Sequence, residues 1–259
     1  MQLGMFSADQ VFSGRWYALI TSAFVHVQPM HLFFNMYWLW ILGPVLEREF
    51  GSLNLLAFIF GTAFVSSGWQ LASGDGGIGF SGVGYAIIGF GWLAREYYPN
   101  LKPYFDDRTL AIFAGWGVIC IFLDYFKLQN IGNVAHGMGS VCGALISLSF
   151  IKRAWLARVG LVFISVAAIV PVYWNPLSAD WNFKMAYRAS ARNDFDLAIK
   201  MYKRSIELEP TLAEAWNNIA LIELGRGREK EFANAMTQLR KQDPKMADDL
   251  LESFGGKVK

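Results

Sequence analysis

The sequence has 259 residues and a formal net charge of +2, with 54% of its residues apolar and 17% charged. The apolar share is above the roughly 45–50% of soluble domains and the charged share is below their roughly 25%, which excludes an ordinary soluble globule, a disordered chain and a fibrous repeat. The near-neutral charge also argues against nucleic acid as the main partner.

The charged side chains are concentrated at the end of the chain, because residues 1–174 carry 17 of them and residues 175–259 carry 27. The first part contains six apolar stretches, each close to the roughly 20 residues that an α-helix needs to cross a bilayer. We therefore expect an all-α protein, a polytopic helical membrane bundle followed by a small helical repeat domain. The predicted spans are 30–46, 53–72, 79–95, 109–126, 131–151 and 155–174.

These stretches divide the chain into four predicted segments. Residues 1–30 form an N-terminal loop segment and residues 31–152 form the membrane domain. Residues 153–178 hold an extra transmembrane helix and a linker, and residues 179–259 form the repeat domain.

Lysines and arginines in the connections predict the orientation by the positive-inside rule. Seven of them fall on one side of this map, which is predicted to be cytoplasmic, and two fall on the other. If the stretch 155–174 crosses the membrane, the repeat domain is non-cytoplasmic. That stretch is the weakest span, because Arg158 leaves an uncharged run of only 16 residues behind it. The seven residues are Arg48, Arg95, Lys102, Arg108, Lys152, Arg153 and Arg158, and the two are Arg15 and Lys127.

The polar end of the chain contains an internal repeat with a period of 34 residues. Small residues recur at the eighth place, bulky ones near the twenty-fourth and proline at the thirty-second, a pattern that resembles the tetratricopeptide repeat, a helix–turn–helix unit. Phe232 stands where a small residue is usual, and plain helical hairpins are the alternative interpretation. Two units are few for such an array, so we expect support from a capping helix over residues 245–254 or from docking on the membrane domain. The paired positions are Ala186 and Ala220, Ala198 and Phe232, Tyr202 and Met236, and Pro210 and Pro244.

Strongly polar residues are costly inside a membrane domain and are functional candidates by default. All three histidines, His26, His31 and His136, lie at or near the start of an apolar stretch. Asn35 follows His31 by four residues and shares its helix face, and Ser81 opens the third stretch. The first, third and fifth helices run in the same direction, so their N-terminal ends meet at one face of the bilayer. We therefore expect these side chains at similar depth, roughly 5–10 Å below the non-cytoplasmic interface.

A serine and a histidine at one depth can form a nucleophile–base pair. Ser81 would attack a carbonyl, while His136 takes the hydroxyl proton and returns it to the leaving amine. The developing oxyanion needs donors, and two sources are available. Unpaired backbone N–H groups lie at the start of the Ser81 helix, and the side chains of His31 and Asn35 reach in from the neighbouring helix.

The surroundings of this pair predict a dyad rather than a triad. Asp75 lies in a predicted loop and Asp124 at the end of the fourth stretch, so no carboxylate presents itself as a third member. Tyr85 lies one turn below Ser81 and is expected to pack against the ring of His136. Sharp turning and close backbone approach are expected at Gly79, Gly82 and Gly84.

Two other interpretations of the same residues stand beside the dyad. Glycine and serine are common in membrane helices because they permit close packing, so Gly139 and Gly143 are also consistent with a packing face that bears a buried His136. A metal site is not favoured, because His26 and His31 are five residues apart, off one helical face, with no carboxylate nearby. We expect no metal and no cofactor.

Three motifs in order resemble those of the rhomboid family of intramembrane serine proteases, over about residues 15–150. The first is H-x(4)-H-x(3)-N, the second is G-x-S-G-x-x-Y in GFSGVGY, and the third is A-H-x-x-G-x-x-x-G in AHGMGSVCG. The matching residues are His26, His31 and Asn35, then Gly79, Ser81, Gly82 and Tyr85, then His136, Gly139 and Gly143.

The resemblance implies cleavage of single-pass membrane proteins near the outer bilayer face, without metal or ATP. It also implies oxyanion roles for His31, Asn35 and the Ser81 amide. The family core has six helices, one of them before the H-x(4)-H segment. Here the residues before that segment include no spanning run, so we expect the first core helix to be missing, through a truncated chain, a misplaced start codon or real loss.

The main functional hypothesis is an intramembrane serine endopeptidase of the bacterial inner membrane whose repeat domain binds an unidentified protein partner. The alternative is a non-catalytic membrane adaptor that binds transmembrane clients and recruits a partner through the repeats. A channel or transporter is a third hypothesis, which the lack of inverted repeats and paired broken helices disfavours.

Overall fold

The computed structural model describes residues 8–74 and 76–253, apart from the side chain of Asp9. The described chain is helical, with no β-strand in these two ranges, as the all-α prediction requires. The chain divides into two compact units, with the boundary in the sequence between Trp174 and Asn175. Asp75 and the last residue of the predicted capping helix, Phe254, lie outside the described residues.

The first unit contains a helix at each of the six predicted spans. The stretch predicted as an N-terminal loop differs, because its described part contains two short α-helices and a 3₁₀ turn at Ser22–Phe24. The helices are α1 (Ala8–Phe12), α2 (Ala18–Thr21), α3 (Pro29–Phe50), α4 (Ser52–Ala72), α5 (Ser81–Ala94), α6 (Asp107–Tyr125), α7 (Asn133–Phe150), α8 (Trp155–Ala167) and α9 (Val170–Tyr173).

Local sequence explains where these helices begin and end. Pro29 occupies the first turn of α3, where its missing N–H costs nothing. Asp106 caps α6 by accepting from the backbone N–H of Thr109 over 2.8 Å. The predicted span 155–174 folds as two helices, and Pro171 lies in the first turn of the second.

Within residues 8–74 and 76–253, three stretches are long and apolar enough to cross a membrane: Ser52–Ala72, Asp107–Tyr125 and Trp155–Tyr173. Helix α5 is a shorter apolar helix. The helices α3 and α7 are 22 and 18 residues long, and they carry the polar residues His31, Asn35 and His136 among their apolar side chains.

Glycines allow α5 and α7 to pack backbone to backbone, the tightest contact in the first unit. A Cβ on Gly139 would collide with the carbonyl oxygen of Gly82, and one on Gly143 would collide with that of Ala86. Small residues at such positions let membrane helices approach closely, which strengthens van der Waals packing where no hydrophobic driving force exists between helices. This contact brings the start of α7 to the start of α5.

The second unit shows the 34-residue period in its helices, the second pair repeating the bounds of the first at that interval. The turns inside both pairs contain a residue of positive φ, Asn193 at 61° and Gly227 at 67°. Arg226 donates to Asp196 over 2.8 Å across the two pairs, and this hydrogen bond lowers the pKa of Asp196. The helices are α10 (Ala179–Ala191), α11 (Phe195–Leu208), α12 (Ala213–Gly225), α13 (Glu229–Gln242) and α14 (Pro244–Ser253).

The core of the second unit uses the positions that the repeat pattern pairs. Ala186 and Ala220 are both fully buried, and Tyr202 is 1% exposed between the helices. Phe232, which departs from the pattern, is 5% exposed and packs in the same core. The bulkier side chain is therefore accommodated inside the unit.

We predict that Gly143→Ala lowers the stability of the first unit by about 1–3 kcal/mol, because the added methyl meets the α5 backbone and must push the helices apart. The matched control is Gly137→Ala on the same helix, where a Cβ meets nothing within 4 Å. It should be neutral or stabilising by up to about 1 kcal/mol. Thermal unfolding in detergent micelles measures both, and equal unfolding midpoints for the two variants would contradict the packing argument.

Candidate active site

Ser81 is the first residue of α5, and the chain turns sharply just before it. Gly79 has a φ of 104°, a conformation that L-residues rarely adopt, and its N–H donates to the Ser22 carbonyl over 2.9 Å. A Cβ on Gly79 would also collide with the ring of His31. Only glycine therefore satisfies both the turn and the contact that bring Ser81 to the helix start.

His136 lies in the first turn of α7 and meets Ser81 across the glycine contact. Its Nε2 is 2.8 Å from Ser81 Oγ, a hydrogen-bond distance, with donor and acceptor set by the ring tautomer. The ring is 8% exposed and stacks on Tyr85, with centroids 4.5 Å apart and planes 21° from parallel. The hydroxyl of Tyr85 donates to the Phe113 carbonyl of α6 over 3.0 Å. The proximity of these three side chains, expected from helix direction, is observed.

The second ring nitrogen of His136, Nδ1, is buried and has no hydrogen-bond partner among the described residues. Asp124 serves a different purpose, because it accepts from the Ile131 N–H over 3.2 Å and from Asn133 Nδ2 over 3.1 Å. It therefore secures the loop that leads into α7. In the described ranges, no group of three His, Cys, Asp or Glu residues is placed to hold a metal ion.

His26 links the other two predicted site residues to the start of α5. Its Nε2 accepts from Asn35 Nδ2 over 2.8 Å and from the Phe80 N–H over 3.2 Å, and its ring meets the edge of His31 at 4.9 Å. Burial lowers the pKa of His26, which keeps the ring neutral and its Nε2 lone pair available to both donors. Asn35 and His31 are thus held beside the turn that precedes Ser81.

Sequence reasoning missed Gln70, which lies near the end of α4 and is 5% exposed. Its Oε1 accepts from the Ala135 N–H over 3.1 Å, in the first turn of α7 and next to His136. The signal was present, because Gln70 is one of two carboxamide side chains, with Asn54, in a span that has no charged residue. Ser66 on the same helix was also missed, and its hydroxyl faces Gly82 closely enough to exclude a Cβ there.

The fold and the site define a class of protein. It is a helical membrane protein in which a serine and a histidine are in contact at the starts of two tightly packed helices. The Rhomboid domain model matches residues 13–153. The chain belongs to the rhomboid family, and it is an integral membrane protein.

The chain is similar to curated proteins named Rhomboid protease GlpG from several bacteria. It is 35% identical to that of Serratia proteamaculans (strain 568) over 137 residues, which are 51% of this chain and 46% of that protein. It is 36% identical over 135 residues to that of Yersinia pestis (strain Pestoides F), again 51% and 46%. It is 36% identical over 136 residues to that of Photorhabdus laumondii, 52% and 46%. The chain thus spans about half the length of the curated relatives it matches.

We predict that Tyr85→Phe destabilises the protein by about 1 kcal/mol, because it removes one hydrogen bond and keeps the ring stack. Tyr85→Leu should cost more, because it also removes the aromatic contacts with His136 and Phe113. Thermal unfolding measures the stability. Because the chain has three histidines, ¹⁵N-histidine NMR resolves the ring signal of His136. That signal should be retained in the Phe variant and shift in the Leu variant, and a shift of equal size in both would contradict the stacking role.

Proposed function

We propose that this chain is an intramembrane serine endopeptidase with Ser81 as nucleophile and His136 as general base and acid. The observation that carries the proposal is the 2.8 Å contact between Ser81 Oγ and His136 Nε2 within a bundle of apolar helices. Family membership and the names of the curated relatives support it.

The reaction proceeds by acyl transfer. His136 Nε2 takes the hydroxyl proton as Ser81 Oγ bonds to the substrate carbonyl carbon, and the carbonyl oxygen becomes an oxyanion. When the C–N bond breaks, the imidazolium gives this proton to the leaving amine and an acyl-enzyme remains. Water then attacks the ester while His136 takes its proton, and the new acid leaves as that proton returns to Ser81.

Oxyanion stabilisation falls to the Ser81 amide, His31 and Asn35 in this proposal. The amide belongs to the first turn of α5, where backbone donors are unpaired within the helix. In the substrate-free arrangement, Asn35 donates to His26, so its action as a donor exchanges this bond for one to the substrate. His26 remains neutral and is the acceptor that holds Asn35 in place between turnovers.

The proposed substrates are single-pass transmembrane proteins cleaved near the outer membrane face. A spanning helix satisfies its own backbone hydrogen bonds, so the substrate must unwind locally before Ser81 can attack. Small or helix-breaking residues near the scissile bond favour that unwinding. The bacterial inner membrane is the proposed location.

The second unit is proposed to be a pair of tetratricopeptide-like repeats with the capping helix α14, which bind a protein partner. The support is the 34-residue spacing of its helix pairs and the full burial of Ala186 and Ala220 at the small-residue position. The distribution of lysine and arginine in the connections supports a non-cytoplasmic location for this unit.

We predict that Ser81→Ala abolishes cleavage of a model single-pass substrate reconstituted with the full chain. His136→Ala should reduce cleavage by about 10²–10⁴-fold, the usual contribution of a general base. Ser165→Ala is the control, because the Ser165 hydroxyl donates to the Leu161 carbonyl of its own helix, α8. Labelling by a fluorophosphonate should be lost with Ser81→Ala. Equal cleavage by the wild-type protein and Ser81→Ala would discard the protease and favour the membrane adaptor.

We predict that protease added to spheroplasts digests residues 180–259, because α8 and α9 together are long and apolar enough to cross the bilayer. The readout is the loss of a C-terminal tag on an immunoblot, compared between intact cells and spheroplasts, whose outer membrane is disrupted. Protection in intact spheroplasts with digestion only after lysis would place the second unit in the cytoplasm and remove α8–α9 from the spans.

A further inference from the structure

The helices α8 and α9 lie beyond residues 13–153, the region matched by the family model, yet they bind directly to the helices of the candidate site. The indole N–H of Trp69 on α4 donates to the Ile164 carbonyl of α8 over 3.0 Å. At the other end of α8, Arg158 Nε donates to the Ser149 carbonyl near the end of α7 over 3.2 Å. Two side-chain hydrogen bonds thus connect α8 to α4 and α7.

The contact beside Trp69 is a close one between backbones. A Cβ on Gly68 would come within 2.8 Å of the Ala168 Cβ and would meet the Ala168 carbonyl oxygen more closely still. Ala168 is fully buried and Ile164 is 8% exposed, so the Trp69 bond is made at a closed interface. An indole N–H left unpaired in such surroundings is costly, so this bond holds α4 and α8 in one register.

The residue after Trp69 connects this interface to the candidate site. Gln70 Oε1 accepts from the Ala135 N–H, one residue before His136. Its amide Nε2 donates to Ser73 Oγ over 3.3 Å, and Ser73 Oγ donates back to the Gln70 carbonyl over 2.6 Å, which fixes the side-chain orientation. Two adjacent residues of α4 therefore hydrogen-bond to different helices, Trp69 to α8 and Gln70 to the first turn of α7.

We infer that Trp69 is a positioning residue for the proposed reaction. It fixes α4 against α8, and Gln70 transmits that position to the start of α7, where it sets the depth of the His136 ring relative to Ser81. The inference rests on the proposed protease function. A displacement of about 1 Å in a reacting pair can cost roughly 10²-fold in rate, so a small shift of α4 is enough to be measured.

The test uses the full chain in liposomes, a model single-pass substrate and a fluorophosphonate. Trp69→Phe keeps an aromatic ring and removes the N–H donor, and Trp40→Phe, at a position 82% exposed on α3, is the control. We expect Trp69→Phe to lower kcat and the fluorophosphonate labelling rate together, by about 5- to 30-fold, with KM within about twofold of the wild type. Trp40→Phe should leave both rates unchanged.

A second pair of variants tests the same interface without changing Trp69. Gly68→Ala places a methyl against Ala168, whereas Gly61→Ala, on the same helix, meets nothing within 4 Å. Gly68→Ala should reproduce the lower kcat and labelling rate, and Gly61→Ala should not. If Trp69→Phe does not fold, the comparison of Gly68→Ala with Gly61→Ala still tests whether the α4–α8 interface positions His136.

A double-mutant cycle separates positioning from general destabilisation. If Trp69 acts through Gln70, Trp69→Phe combined with Gln70→Leu should be no slower than Gln70→Leu alone. Unchanged kcat and labelling in Trp69→Phe and Gly68→Ala, or full additivity in the double variant, would overturn the inference. Absence of cleavage and of Ser81 labelling in the wild-type protein would instead refute the proposed function, so the two failures are distinguishable.

Discussion

The close contact between α5 and α7 is the constraint on which the rest of the candidate site depends. Ser81 and His136 are 55 residues apart in sequence and lie on different helices. Their hydrogen bond therefore requires the backbones of α5 and α7 to approach so closely that only glycine fits between them. A larger side chain at Gly89, Gly139 or Gly143 would meet the backbone of the facing helix and separate α5 from α7. One at Gly82 would instead meet Ser66 of α4. The glycines are therefore part of the site although none of them has a side chain to act with.

Around this contact, the first unit supports each polar group with a specific partner. Asp124 binds the Ile131 N–H in the loop before α7, and Gln70 binds the Ala135 N–H in its first turn. His26 binds the N–H of Phe80, just before Ser81. These are the unpaired donors of helix starts and tight turns, which a bilayer cannot supply with water. Side chains that satisfy them also fix where α5 and α7 begin, and with these helix starts the positions of Ser81 and His136.

Much of this arrangement follows from the sequence. The apolar stretches are close to the length that a span requires, and helix direction alternates along a polytopic chain, so the meeting of Ser81 and His136 at two helix starts followed from topology. The stacking of Tyr85 followed from helical periodicity, and the helix pairs of the second unit followed from the spacing of Pro210 and Pro244. These features depend on local pattern and chain direction, which one sequence contains.

The remaining features depend on tertiary distances that no local pattern encodes. The bond between Asn35 and His26 joins a helix to the loop before it, and the bond from Trp69 to Ile164 joins residues 95 positions apart. The break between α8 and α9 was signalled by Pro171, but the close approach of Gly68 to Ala168 was not, because glycine is frequent throughout the membrane unit. Gln70 was detectable from its polarity, although its partner was not.

The flat contact of Tyr85 with His136 has a consequence for how this imidazole is oriented. In many serine hydrolases, an acidic side chain steers the ring from its far nitrogen. Here, within the described chain, that nitrogen is unclaimed, and the phenol face fixes the plane of the ring instead. An aromatic neighbour introduces no negative charge, which would be expensive to keep under lipid. An aromatic face thus orients a polar ring without adding charge, which suits a helix bundle surrounded by hydrocarbon.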